Sequence, residues 1–228
     1  GIVRILSQSF EEGVRRLGVP EAQIRLIYDW VDTELITPLP RQNDFAIEQG
    51  LVGSFVVLYA GNLGHSQGLE HVLEAARILA AEDIRFVFIG DGAAREALLE
   101  ETAALGLTNV TFLPFQPRAR LPEVLATADV SLVILRQGMG FNSLPSKTLS
   151  ILASGRPMVV SIDPHSDTWN LVERSQSGIC VPPEDPALLA EAILKLKREP
   201  ALCAEMGQNG RQYALLHHSV KACTTYFE

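Results

Sequence analysis

Runs of apolar residues alternate along this chain with stretches in which apolar residues recur every three or four positions. The first clear run, Phe55–Ala60, is apolar at both odd and even positions, as expected of a strand buried on both faces. Leu69, Val72, Leu73, Ala76 and Ala80 then fall on one helical stripe. The alternation repeats through Ile84–Ile89, a helix with Leu98, Thr102 and Leu105 in line, and Val110–Leu113. A short helix through Leu121, Val124, Leu125 and Ala128 leads to apolar runs at 130–135 and 158–162. Gly178–Val181 reads as a last strand, and the next helix starts near Pro186 and carries Leu189, Ile193 and Leu196. Proline in a first helical turn is a start signal. Residues 200–228 read as one or two closing helices. Strands separated by helices predict an α/β fold, a Rossmann-like parallel sheet with helices on both faces.

The first forty residues fit this plan poorly. Phe10, Val14 and Leu17 make a short stripe, Gly18-Val19-Pro20 ends it, residues 24–27 look like a strand, and Pro38-Leu39-Pro40 breaks the chain. One helix and one strand cannot bury a face alone, so they either dock on the main domain or close a preceding one. The expected division is residues 1–37 as the end of a missing N-terminal domain plus linker, and 38–228 as the main domain. A start at Gly1-Ile2-Val3, without Met, fits a fragment.

Composition narrows the class. A chain of 228 residues buries roughly 70–75% of its unfolded surface and needs no disulfide or metal to hold it. Cys180, Cys203 and Cys223 are odd in number and widely spaced, which reads as reduced thiols in a cytoplasmic protein. The five histidines, His65, His71, His165, His217 and His218, show no metal-ligand spacing, so no metal is expected. A formal net charge of −8 argues against nucleic acid as a partner. No apolar run approaches the ~18 residues of a membrane span, and no basic amphipathic helix stands out.

The candidate chemistry lies between 130–135 and 158–162. Gly138 and Gly140 mark a loop, Pro145-Ser146-Lys147 opens a helix, and Gly155 ends it before Arg156-Pro157. A glycine loop that brings backbone N–H groups and a lysine to a helix N-terminus suits phosphate. Lys147 opposes the helix dipole in a first turn, which favours a phosphate partner over a merely solvated side chain. Asn142 and Ser146 read equally as cap and turn residues. In the earlier glycine loop, Gly61 and Gly64 serve a turn, a close approach to ligand, or both. Gly90 and Gly92 read first as turn glycines. Asp163 and Asp167 read as loop and cap residues.

Taken together, seven stretches resemble, in order and spacing, the C-terminal half of retaining GT-B-fold glycosyltransferases of group 1, the family that includes sucrose synthase and bacterial exopolysaccharide enzymes. They are 18–32, 59–70 (Tyr59-Ala-Gly-Asn-Leu-Gly-His-Ser-Gln-Gly-Leu-Glu70), 88–92, 109–114, 128–130, 145–157 (Pro145-Ser-Lys147 through Ala153-Ser-Gly-Arg-Pro157) and 178–186. The resemblance implies transfer of a sugar from a UDP- or GDP-type nucleotide sugar to an acceptor hydroxyl with retention, in polysaccharide biosynthesis, with no other cofactor. It implies donor contacts from Gly61, Asn62, Gly64, Gln67, Gly90, Phe115, Asn142, Pro145, Ser146, Lys147 and Ser150, with Lys147 stabilising the leaving diphosphate. It assigns the acceptor to the missing N-terminal half, so the chain alone is expected to be inactive. Any peripheral attachment at the inner face of the membrane would come through that half. Two acids eight residues apart are common in such enzymes, and here Asn142 and Ser150 occupy their places. Asn62 and Gln67 stand near positions that are often Arg and Lys. These neutral residues keep open a non-catalytic nucleotide-binding module. A nucleotide-sugar 2-epimerase-like domain shares the plan but needs acids and bases in its cleft.

Overall fold

The structure, a computed structural model, describes residues 1–7, 9–142 and 145–224. β1 (Val3–Ile5), α1 (Phe10–Arg16) and β2 (Ile24–Leu26) form a two-stranded parallel sheet with its crossover helix. A short α2 (Asp44–Glu48) follows, capped by Asn43, whose side-chain oxygen accepts the Ala46 N–H at 3.0 Å.

The main body then alternates strictly: β3 (Phe55–Ala60), α3 (Glu70–Ile78), β4 (Ile84–Ile89), α4 (Arg95–Ala104), β5 (Val110–Leu113), α5 (Leu121–Thr127), β6 (Val130–Ile134), α6 (Lys147–Ser154), β7 (Met158–Ser161), α7 (Asp167–Ser175), β8 (Gly178–Val181) and α8 (Pro186–Arg198). α9 (Pro200–Tyr213), a π-helical turn at Ala214–His218 and α10 (Val220–Thr224) close the chain. All ladders of the six-stranded sheet are parallel, in the order β5-β4-β3-β6-β7-β8.

Side chains alternate across each strand, so one strand feeds both core layers. Val57 and Tyr59 pack in the layer that includes Val72, Leu98 and Ile193 from α3, α4 and α8. Val56 and Leu58 pack in the other, with Phe45, Leu125, Leu152 and Val172 from α2, α5, α6 and α7. Strand order therefore reverses between β3 and β6, and their following helices lie on opposite faces. A crevice must open there, beyond the carboxyl ends of those two strands.

The expected fold class is the observed one, and every strand expected from 55 onward is present. Three elements go beyond the sequence expectation. β1 is three residues long and exists only through pairing with β2. α2 has five residues, of which Phe45 and Ala46 are buried. α7 turns Thr168, Leu171, Val172 and Ser175 inward, so half of its buried stripe is polar and invisible to a hydrophobic pattern. The segment 31–36 is tied to the rest of the chain: the Val31 N–H donates to the His218 carbonyl at 2.8 Å, and Arg211 Nη1 donates to the Ile36 and Ala153 carbonyls at 2.8 Å each.

Candidate functional site

The reversal point is where Gly61 follows the end of β3 and α6 begins with Lys147. A Cβ on Gly61 would lie 2.9 Å from Lys147 Nζ, and the Gly61 φ of 144° is itself a glycine conformation. The Lys147 stem is partly exposed, but its Nζ is buried and has no hydrogen-bond partner. It sits 3.5 Å from the centroid of the Tyr59 ring, whose π face attracts a cation. Burial pulls the Lys147 pKa down to about 7, because an ammonium out of water is penalised. Tyr59 donates its hydroxyl to the Asn62 carbonyl at 2.7 Å, and burial raises its pKa, so it stays a neutral, fixed platform.

Two cavities share Ala60, Ser146 and Lys147. One, of about 310 Å³, is mostly apolar, and Trp30, Leu58, Leu121, Ser131 and Ser150 line it. The other, of about 260 Å³, is lined by Gly61, Asn62, Gln67 and Pro145. Ser131 Oγ is buried without a partner. A lone buried hydroxyl costs about 1–3 kcal/mol, so a water or ligand contact there is favoured.

Of the expected site residues, Gly61, Asn62, Gln67, Pro145, Ser146, Lys147 and Ser150 line these cavities. The others do not. The Gly64 N–H donates to Gln67 Oε1 at 3.0 Å, which closes the single 3₁₀ turn at His65–Gln67. Gly90 has a φ of 146°, and a Cβ there would overlap the Gly61 carbonyl oxygen. It is a close-approach glycine that seats one loop on the next. Phe115 is 59% exposed and touches neither cavity. Asn142 ends a 3₁₀ turn at Gly140–Asn142, and its side chain lies outside the described residues.

Sequence reasoning did not count several supporting residues among the donor contacts. Asp163, 5% exposed, accepts the Gly138 and Gly140 N–H groups on its two oxygens at 2.7 and 2.8 Å. It therefore holds the glycine loop from below, in keeping with a loop role. Arg136 spans from the end of β6 to the 61–68 loop. Trp30 reaches the first cavity from the segment between β2 and α2. A tryptophan followed by Val31-Asp32 was a faint hint; Ser131, inside an apolar run, offered none. Among the described residues, no group of three His, Cys, Asp or Glu is placed to hold a metal, and no helix is long and apolar enough to cross a membrane.

Comparison with known proteins gives a family for the chain and a match for its fold. Residues 41–213 match the family described as glycosyl transferases group 1. WcaI of Escherichia coli (strain K12), whose name assigns it to colanic acid biosynthesis, is 34% identical over 160 residues, which is 70% of this chain and 38% of WcaI. The D-rhamnosyltransferase WbpZ of Pseudomonas aeruginosa is 31% identical over 164 residues, 69% of this chain and 40% of WbpZ. The chain thus spans less than half the length of these relatives. Among solved structures, Anabaena Alr3699/HepE in complex with UDP-glucose superposes with a TM-score of 0.84 at 19% identity, covering 99% of this chain and 62% of HepE.

Proposed function

This chain belongs to the glycosyl transferases group 1 family, and we propose that residues 38–228 form the donor-binding, C-terminal domain of a retaining GT-B enzyme. Residues 1–37 would be the end of its acceptor domain and the linker. The observation that carries this reading is Lys147: an unpartnered, buried ammonium at the switch point, with a cavity on either side. A diphosphate at Nζ and the α6 N-terminus would place the nucleoside toward Ser150 and Trp30 and the sugar toward Asn62 and Gln67. When the bond from the anomeric carbon to the diphosphate breaks, its electron pair leaves with the phosphate oxygen. Lys147 and the first-turn N–H groups of α6 stabilise that charge by preorganised electrostatics. The acceptor hydroxyl oxygen bonds to the same carbon on the same face, and its proton passes to the departing diphosphate.

The sugar donor is of UDP or GDP type, and the relatives' names support a hexosyl transfer in polysaccharide assembly. The reaction is assigned to the cytoplasm, with membrane contact left to the other half. The acceptor site lies outside these 228 residues, so the chain by itself binds donor without transferring sugar. A non-catalytic nucleotide-binding module is the second reading, favoured by neutral Ser150, Asn62 and Gln67. Calorimetric titration with UDP, GDP, ADP and their glucose conjugates tests the donor site. One-to-one binding of UDP or GDP, weakened by Lys147→Met, is expected. Silence with every nucleotide sinks the proposal.

A further inference from the structure

Arg136 lines neither cavity, yet it holds the loop that lines one of them. Its backbone N–H donates to the Ser66 carbonyl at 3.0 Å, and its Nε donates to the His65 carbonyl at 2.6 Å. Its Nη2 pairs with Glu70 in the first turn of α3. On the other side, Glu184 Oε1 lies 3.8 Å from Nη1. Glu184 has a φ of 60°, a conformation uncommon for a residue with a side chain. Three loops, those following β3, β6 and β8, therefore meet on one guanidinium. Gly68, at φ 63°, makes room for it: a Cβ there would be 3.1 Å from Arg136 Cγ.

The first half of the 61–68 segment is fixed from below: the Gly61 and Leu63 N–H groups donate to the Ile89 and Asp91 carbonyls at 2.8 Å each, Tyr59 bonds to the Asn62 carbonyl, and Leu63 is fully buried. The second half, 65–68, has fewer ties. Its only regular element is the one-turn helix at His65–Gln67, too short to be rigid by itself. Gly64 and Gly68 flank that turn, and the Gly64 N–H donates to Gln67 Oε1 within it. A planar guanidinium can bridge two partners at once, whereas a lysine in its place supplies one mobile charge. The pair with Glu70 is about one-third exposed on both sides, so alone it contributes little. The bonds to the loop carbonyls carry the restraint.

We propose that Arg136 is a positioning residue: through the His65 and Ser66 carbonyls and Glu70 it sets the 65–67 turn, and with it Gln67, at the distance from α6 that a nucleoside diphosphate needs. This rests on the donor-site reading above. The test is titration of UDP and GDP into the wild-type chain, R136A, R136K and E70Q, with amide hydrogen exchange on the nucleotide-free proteins. R136A should weaken nucleotide binding about tenfold or more, the scale of losing charge-assisted bonds. R136K should recover part of that loss, because it restores the ion pair without the fork. E70Q should bind a few-fold more weakly. Amides at 64–68 should exchange faster in R136A while those of β4 do not change. Wild-type affinity in R136A, or in R136K if R136A does not fold, overturns the inference and leaves the donor site standing. A wild-type chain that binds neither nucleotide overturns the donor-site reading, and the inference with it.

Discussion

Replacing Lys147 by Met keeps the methylene packing on Tyr59 and removes the ammonium. Burial takes that group from 10.5 to about 7, which corresponds to roughly 5 kcal/mol of lost hydration, an order-of-magnitude figure. Within the chain Nζ has no hydrogen-bond partner, and the Tyr59 ring is the group that faces it. A diphosphate oxygen at Nζ would add a charge-assisted bond worth about 1.5–3 kcal/mol net, or about 10- to 150-fold in Kd. K147M should therefore bind UDP or GDP weaker by about that factor, yet melt a few degrees higher, since ~1 kcal/mol moves Tm about 2–4 °C at this size. The pH dependence has a defined sign. With the folded pKa below the unfolded one, the unfolded chain binds more protons between about pH 7 and 10. Wild-type stability rises with pH across that window, and the Tm gap to K147M is widest below it and narrows above. A bound diphosphate raises the lysine's pKa again, so wild-type binding takes up a proton above about pH 7 and weakens as pH rises. Calorimetry from pH 6.5 to 9, in buffers of low and high ionisation enthalpy, reads the uptake directly. Equal Kd values for wild type and K147M, or a lower Tm in K147M, would refute this reasoning.

Three further substitutions probe the scaffold around the lysine. Gly90→Ala forces a Cβ into the Gly61 carbonyl at a positive φ, so thermal melting should show a loss of about 2 kcal/mol or more. Asp163→Asn replaces one acceptor by a donor facing a glycine N–H. The result should be a loss of about 1–3 kcal/mol, with faster hydrogen exchange at Gly138 and Gly140. Ser150→Glu puts a carboxylate at the mouth of the first cavity. It should tighten UDP binding about three- to tenfold over its 2′,3′-dideoxy analogue, the scale of one or two charge-assisted bonds, as read by competitive titration.

The sheet was legible because its strands are buried on both faces and read as unbroken apolar runs, and because Gly155 and Pro186 mark helix boundaries. Gly155 also closes the helix that Pro145-Ser146-Lys147 opens, which is what drew attention to Lys147. What stayed hidden depends on distance along the chain. Arg136 meets Glu70 across 66 residues and Asp163 meets Gly138 across 25, and no local pattern records either pairing. Gly90 looked like a ligand or turn glycine, and only the packing of the Gly61 carbonyl against it shows why a side chain has no room. α7 was missed because Thr168 and Ser175 share its buried face, which breaks the apolar period that would have announced it.

The central claim, a nucleoside diphosphate held at the switch point by Lys147, is tested most directly by mapping backbone amide shifts of the labelled chain as UDP or GDP is added. The predicted result is a saturable set of shifts centred on residues 61–67 and 146–150, Trp30 and Ser131, absent in K147M at the same nucleotide concentration. Shifts centred instead on the cavity beside Tyr28, Arg174 and Tyr213, or no shifts with either nucleotide, would contradict it.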